Sequence, residues 1–223
     1  RDLMKAAWDV CLLEAGGMDY EENTQSLFQG DNIGMEYYDL DHARLRFFGG
    51  TTNIWGGRSL PLDPIDFEKR DWVPHSGWPI TRDDLQDYYR IAHDSLELGE
   101  FDYETSNWEK LKLNPINFNP EEITTRFWRF DGMAERFSSQ ASDDLVNAAN
   151  VRIVLHANTV GLLATENASA ITRLDAESMH GTKLQVKARH FILACGAIEN
   201  ARLLLMSDSV EANGIGNPYD QLG

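Results

Sequence analysis

The amino-acid sequence predicts an α/β protein, and three observations favour this class. The apolar run at residues 10–13 has strand length and follows a segment, residues 1–8, with helical spacing. Residues 151–193 contain a series of strand patterns with a hairpin turn at 179–182. A corner of small residues at 194–197 then leads from the last strand into a helix.

Composition excludes some functions. The chain has 223 residues and a net charge of -16, with 36 acidic against 20 basic residues. Nucleic acid is therefore not an expected partner, because a phosphate-binding surface needs clustered Lys and Arg.

No apolar run approaches the roughly 20 residues of a membrane-spanning helix, so no transmembrane segment is predicted. Cys11 and Cys195 lie in apolar runs, which predicts buried free thiols; no metal site is predicted.

The elements follow in order. Residues 1–8 form a helix, and residues 10–13 form a strand buried on both faces. Thr81 is the N-cap of a helix that Gly99 closes. A short helix at 142–149 precedes strands at 151–155, 159–164, 170–177 and 183–193. A final helix at 199–206 turns Ala201, Leu204 and Leu205 inward; His42, His93 and His180 are predicted to lie at the surface.

Glu14 stands at the carboxyl end of the first strand. In dinucleotide-binding βαβ units, a carboxylate at the end of the second strand binds the ribose hydroxyls, about 20 residues after the first glycine of a phosphate loop. Counted back, that loop falls before Arg1, so we expect the chain to be an internal fragment. The alternative is a surface glutamate at the end of an ordinary strand.

Two small-residue segments complete the candidate site. The loop Gly49-Gly50-Thr51-Thr52-Asn53 can line up backbone N–H groups for a pyrophosphate or flavin oxygens, and its side chains add donors. The corner Ala194-Cys195-Gly196 lets a helix N-terminus face a ligand. Either segment could instead be an ordinary loop or the tight corner of any α/β crossover.

Three segments in order resemble the glucose–methanol–choline (GMC) oxidoreductases: VCLLEAGG (10–17), RLRFFGGTTNIWGGRSLPLDPIDFEKRDWVPHSGWPITRDDLQDYYRIA (44–92) and ARHFILACGAIENARLLLMS (188–207). The similarity is greater to bacterial members and to the pyranose-oxidase-like branch than to the fungal oxidases of the family. The resemblance implies an FAD-binding domain of the FAD/NAD(P)-binding Rossmann-like type, and oxidation of an alcohol or sugar by hydride transfer to flavin N5. It implies that Glu14 holds the adenosine ribose and that Thr159 and Val160 contact the adenine. Gly49, Gly50, Thr51, Thr52 and Asn53 would approach the pyrophosphate and isoalloxazine, and Ala194, Cys195 and Gly196 the ribose and pyrophosphate.

Two departures from the family pattern matter. Pyranose oxidases attach FAD through a His before a Trp in this loop, whereas here Ile54 precedes Trp55. We therefore expect dissociable, non-covalent FAD. The family's catalytic His pair is expected beyond Gly223, so no catalytic residue is assigned in this chain. We expect weak or no FAD binding by the chain itself, and no turnover.

The predicted organisation has three parts. Residues 1–60 form the first part of the FAD-binding domain, and residues 61–150 an inserted substrate-side α+β region. Residues 151–223 form the second part, with a β-meander. An NAD-binding dehydrogenase and a non-catalytic dinucleotide-binding module are the alternatives. The expected substrate is a small-molecule alcohol or sugar. The sequence does not identify the electron acceptor. It also does not decide between a cytoplasmic and a periplasmic location in a bacterium.

Overall fold

The computed structural model describes residues 1–103, 110, 112–114, 116, 118–119, 121–133 and 136–223. They form a mixed α/β structure with small sheets. The chain divides into two compact units, Arg1–Asn53 with Glu135–Gly223 and Ile54–Ala134. Within the described residues, none of the helices has the length and apolar character needed to cross a membrane.

The described helices are α1 (Asp2–Lys5), α2 (Glu22–Gln25), α3 (Pro64–Phe67), α4 (Gln86–Ser95), α5 (Asp143–Val146) and α6 (Ala197–Met206). The strands are β1 (Val10–Leu13), β2 (Arg58–Ser59), β3 (Arg129–Phe130), β4 (Val151–Val154), β5 (Asn158–Ala164), β6 (Ile171–Glu177) and β7 (Lys183–Val186). Short 3₁₀ turns occupy Ser26–Phe28, Gly50–Asn53, Asp83–Leu85 and Ser139–Ala141.

The first unit is built around a parallel pair of strands. β1 pairs with β4 in register from Val10↔Val151 to Leu13↔Val154, which confirms the predicted strand and its parallel direction. The prediction that this strand is buried on both faces is wrong, since Leu12 is 38% exposed. Among the described residues β1 pairs with β4 alone, so one edge and part of its faces stay open.

The exposure of the two cysteines reflects the limited cover over these segments. Cys11 and Cys195 are both free, as predicted, but both are exposed, so the prediction of buried thiols is wrong. Cys11 lies on the open part of β1, and Cys195 lies outside the strands. An apolar run therefore predicted a strand correctly but did not predict what covers it.

An antiparallel meander, β5-β6-β7, forms the second sheet of this unit. The predicted turn between β6 and β7 is confirmed by a hydrogen bond from Ser178 N–H to the Thr182 carbonyl at 2.9 Å. Alternate residues of the sheet point inward, as the period of two requires. The buried cluster that they form with the neighbouring segments consists of Ala157, Leu162, Leu174, Ala176, Leu203 and Ile215.

The last strand is shorter than predicted. It ends at Val186, opposite Leu174, and not at residue 193. The preceding residues of β6 pair with β5 only, so the chain after Val186 has no strand partner in the described sheet. Phe191 and Leu193 instead pack against the buried cluster, and this packing accounts for the apolar pattern that predicted a longer strand.

Helix α6 begins two residues before the predicted start and ends at Met206 as predicted. Its inward face was predicted only in part: Leu204 packs against the buried cluster as predicted, but Leu205 does not, and Leu203 was missed. Leu203 is 4% exposed and fully packed in the core, whereas Leu205 is 39% exposed. Three consecutive leucines leave the phase of a helix ambiguous. The following segment fixes it, because Ile215 joins the same buried cluster as Leu203 and donates its N–H to the Leu204 carbonyl at 3.1 Å.

The second unit contains α3, α4 and the antiparallel pair β2–β3. The predicted helix start is supported by reciprocal hydrogen bonds, from Thr81 N–H to Asp84 Oδ2 at 2.8 Å and from Asp84 N–H to Thr81 Oγ1 at 3.4 Å. The chain then makes one 3₁₀ turn before α4, which ends at Ser95 and not at Gly99.

His93 contradicts the prediction that it lies at the surface. It is 4% exposed, because its face of α4 packs against the rings of Phe101 and Tyr103. Its Nδ1 lies 3.2 Å from the Gly99 carbonyl and its Nε2 lies 2.7 Å from the Tyr103 hydroxyl. The carbonyl only accepts, so Nδ1 donates to it, and the Tyr103 hydroxyl also lies 3.4 Å from the Ser59 carbonyl.

The packing of α6 generates a test of its phase. Leu203→Ala should lower the free energy of unfolding by about 2–5 kcal/mol, because it leaves a cavity in the core. The matched variant Leu205→Ala should cost no more than about 1 kcal/mol, since that side chain is partly solvated. Urea unfolding with a shared slope measures both. Equal losses for the two variants would contradict the packing described.

Candidate functional site

Glu14 directly follows β1, and backbone hydrogen bonds on both sides fix its position. Its N–H donates to the Val154 carbonyl at 2.9 Å, and its carbonyl accepts from Ala157 N–H at 2.9 Å. Its side chain turns back over the next residues, where Oε1 accepts from Gly16 N–H at 2.9 Å. The carboxylate is thus held at the carboxyl end of the parallel pair, where the sequence predicts it.

The turn after Glu14 needs glycine at position 16. A Cβ on Gly16 would lie 2.8 Å from the carbonyl carbon of Arg46 and 2.9 Å from Cα of Phe47, distances that real Cβ atoms do not adopt. The two backbones are therefore in direct contact. A hydrogen bond from Phe48 N–H to the Gly17 carbonyl at 2.9 Å continues this contact and brings the segment before the glycine loop against the strand end.

A buried ion pair anchors that segment to α6. Arg44 Nη1 lies 2.8 Å from Glu199 Oε1, and the two side chains are 14% and 10% exposed. Arg202 donates to the other oxygen of Glu199 at 2.8 Å. Arg44 also lies over the Phe28 ring, 4.0 Å from its centroid. Sequence reasoning did not identify these residues; the signal available was two arginines before the glycine loop of an acidic chain.

Arg46 lies between the predicted site segments. Its backbone N–H donates to Gln25 Oε1 at 2.9 Å, and its Nη2 donates to Asn158 Oδ1 at 2.8 Å. Asn158 opens β5, two residues before Val160. The guanidinium carbon lies 4.8 Å from the centroid of the Phe28 ring. Within the described residues, its buried Nε–H has no hydrogen-bond partner.

The environments of the two carboxylates shift their pKa values in opposite directions. Burial raises the pKa of Glu14, although the Gly16 hydrogen bond and the charge of Arg46 act against the shift. Burial alone would also raise the pKa of Glu199, but the hydrogen bonds and charges of Arg202 and Arg44 together outweigh it and lower that pKa. Glu199 is thus fully paired, whereas Glu14 is a poorly solvated carboxylate.

The corner before α6 belongs to the same cluster. Cys195 N–H donates to Asn200 Oδ1 at 3.0 Å. The residue as a whole is exposed, yet burial of its thiol raises the pKa, and the charges of Glu199 and Glu14 raise it further. Ala194 precedes it, and Gly196 at φ +87° has open space where a Cβ would lie. Glu14 therefore lies near enough to the corner for its charge to act on the Cys195 thiol.

The glycine loop is closed by a hydrogen bond within its own segment and packs against the backbone at Phe137. Gly49 and Gly50 have φ of +88° and +55°, and a Cβ on Gly49 would overlap the Phe137 carbonyl. Leu45 N–H donates to Thr51 Oγ1 at 3.2 Å, which closes the loop on its first side. Packing against protein backbone therefore requires glycine at position 49, whereas at position 50 glycine is favoured by the positive φ.

The side-chain donors of Thr52 and Asn53 are directed inward. The Thr52 hydroxyl donates to the Gly49 carbonyl. The Asn53 amide donates to the carbonyls of Phe48 at 3.1 Å and Gly50 at 2.9 Å. The prediction that these two side chains offer donors to a ligand does not fit these bonds, because capping the 3₁₀ turn uses them.

The described residues could hold the adenosine end of FAD more readily than the flavin end. Glu14 has acceptor oxygens that ribose hydroxyls could use, a Cβ on Gly196 would meet open space, and Arg46 has a buried donor without a described partner. Val160 is 45% exposed and lies at the register irregularity of β5 between Thr159 and Gly161. The loop at 49–53 contributes its backbone shape but not the side-chain donors of Thr52 and Asn53.

Comparisons with known proteins give matches among solved structures. No family model matches the chain, and no curated protein sequence matches it. A formate oxidase is 15% identical over 89% of this chain and 43% of its own, with a TM-score of 0.43. The Aspergillus oryzae RIB40 formate oxidase, from work on its FAD modification, is 14% identical over 92% of this chain and 44% of its own, with a TM-score of 0.47.

A third structure, the pyridoxine 4-oxidase from Mesorbium loti, is 16% identical over 91% of this chain and 47% of its own, with a TM-score of 0.48. The chain spans less than half the length of these solved proteins. At these identities and TM-scores the likeness does not assign a function to the chain. Membership of a bacterial branch stays a prediction.

Glu14 generates a prediction about stability. A carboxylate whose pKa is raised by folding destabilises the folded state above its ordinary pKa of 4.5. Glu14→Gln keeps the acceptor for Gly16 N–H and removes the charge, so it should increase the free energy of unfolding at pH 7. The gain should disappear as the pH falls below the ordinary carboxyl value, where both states bind the proton.

Urea unfolding at neutral and acidic pH measures this difference, with Glu166→Gln as the control because Glu166 is exposed on the β5–β6 turn. A loss of stability for Glu14→Gln at pH 7, relative to this control, would contradict the desolvation of Glu14.

Proposed function

We propose that this chain forms the adenosine-binding part of an FAD-dependent oxidoreductase that oxidises the CH–OH group of an alcohol or sugar. The observation that carries the proposal is the position of Glu14, a poorly solvated carboxylate at the end of a parallel strand and in one cluster with Cys195. A carboxylate in that position is the usual ribose ligand of dinucleotide-binding folds.

In this proposal Glu14 accepts hydrogen bonds from the ribose hydroxyls. Its carboxylate is only partly solvated, so two hydroxyl donors restore hydrogen bonds that burial removes. The backbone at Thr159 and Val160 borders the adenine, and the Ala194-Cys195-Gly196 corner borders the ribose and the first phosphate. The neutral thiol of Cys195 adds no negative charge beside the phosphate.

FAD supplies a hydride acceptor at flavin N5 when it is bound. The described residues contribute cofactor binding to this reaction, and none is assigned to the removal of the hydroxyl proton. The order of the three GMC-like segments favours FAD over NAD, since Glu14 alone recognises a ribose and fits either cofactor. A non-catalytic dinucleotide-binding module predicts the same adenosine contacts without flavin reduction.

Ligand titrations separate these possibilities. We expect the chain to bind FAD weakly, with a dissociation constant on the order of 1 mM. FMN, which lacks the adenosine, should bind more weakly still. Glu14→Gln should weaken FAD binding about tenfold, since a hydrogen bond to a charged group is lost. Glu166→Gln should leave FAD binding unchanged.

Backbone amide NMR shifts during the titrations measure the affinities and locate the contacts. The shifts with FAD should concentrate at Gly16, Thr159 and Cys195. Tighter binding of NAD⁺ than of FAD would support the NAD-dependent alternative. Equal binding of FAD and FMN, or no binding of any adenosine ligand at millimolar concentration, would refute the adenosine site.

The attachment of the flavin gives a separate prediction. Ile54 occupies the position before Trp55 and has no nucleophilic atom for a bond to the flavin. Acid denaturation of the natural holoprotein should therefore release all of its FAD into the supernatant. Flavin absorbance that precipitates with the polypeptide would show a covalent link and contradict the expectation.

A further inference from the structure

We infer that Arg46 binds the phosphate adjoining the adenosine and so selects a phosphorylated adenine nucleotide. The inference rests on the proposed function, because it takes the Glu14 site as an adenosine site. Sequence reasoning assigned no role to Arg46, and the phosphate was expected to meet backbone groups and uncharged side chains.

The backbone of Arg46 is fixed relative to the ribose-binding carboxylate. Gly16, whose N–H binds Glu14 Oε1, is in direct contact with the Arg46 backbone. Gln25 is buried and accepts from the Arg46 N–H at 2.9 Å. The residue therefore cannot move away from the strand end without breaking the turn that holds Glu14.

Its side chain extends from this anchor toward the start of β5. Nη2 donates to Asn158 Oδ1 at 2.8 Å, beside the segment assigned to adenine. The Phe28 ring lies against the guanidinium group, with its centroid 4.8 Å from the guanidinium carbon of Arg46. A guanidinium carries five N–H donors, and the Nε–H is buried with no partner in the described part of the chain. A planar donor group held in this way is suited to phosphate oxygens.

The charged groups around Arg46 balance one another, so the charge of Arg46 itself is left for an anion. The groups whose charges act on it are Glu199, Arg202, Glu14 and Arg44. With Arg46 itself they comprise three arginines and two glutamates, a net charge of +1 in a chain whose total is -16. Because Glu199 is paired with Arg44 and Arg202, Arg46 is the cation of this group that lies outside that pairing.

The test compares adenosine with ADP, two probes that share the ribose and adenine. In NMR titrations at low ionic strength, the chain should bind ADP about tenfold more tightly than adenosine. Arg46→Gln should abolish this preference and leave adenosine binding unchanged. Arg173→Gln, which removes a guanidinium that pairs with Asp175 on β6, should keep the preference.

Two further measurements protect the test against a variant that does not fold. Arg46→Lys should retain part of the preference through its charge, and high salt should reduce the preference in the unmodified chain. Adenosine and ADP binding equally tightly would overturn the inference while leaving the adenosine site intact. Equal losses of both ligands in Arg46→Gln would assign the residue a structural role only. If neither ligand binds, the proposed function itself fails.

Discussion

Glu199 lies almost fully buried on α6 and bonds Arg44 and Arg202 with its two carboxylate oxygens, at 2.8 Å each. Arg44 precedes the glutamate by 155 residues and belongs to the segment that contacts the strand end at Gly16. This one carboxylate therefore ties the helix after the small-residue corner to the chain before the glycine loop. Removing one partner of such a buried pair typically costs about 3–5 kcal/mol, because the other charge is left without compensation. The geometry around Glu14 depends on that anchor.

The two glutamates of the cluster show how the same fold assigns different tasks to the same side chain. Glu199 is saturated by guanidinium groups, which lower its pKa and use its oxygens for structure. Burial dominates at Glu14 and raises its pKa, although backbone hydrogen bonds from Gly16 and Ala15 and the charge of Arg46 act against the shift. Carboxylates whose environments separate their pKa values in this way often divide into structural and functional groups. The unfavourable burial of Glu14 is what a ligand with hydroxyl donors would relieve.

Local patterns predicted the elements well where the chain itself contains the information. The apolar run of β1, the hairpin before β7 and the start of the helix after Thr81 depend on neighbouring residues, and all three appear in the structure. The predictions that were wrong depended on residues distant in the sequence. They concerned the burial of Leu12, the last residue of β7 and the face of α6 that packs against the core. The ion pair between Arg44 and Glu199 was likewise invisible, since no spacing rule links positions so far apart. Within the candidate site, Glu14 and the Cys195 corner could be placed from sequence, whereas Arg46 required the structure.

The backbone contact at Gly16 also limits how this chain can diverge during evolution. A Cβ at that position would overlap the backbone of residues 46 and 47, so even alanine requires the two segments to separate. Surface positions such as Val160, whose backbone alone is assigned a role, can exchange side chains freely. A distant homologue would then keep glycine at position 16 and a basic residue at position 46 long after overall identity has fallen to the level of chance. Such a pair of positions would be a better marker of descent than identity averaged over the chain.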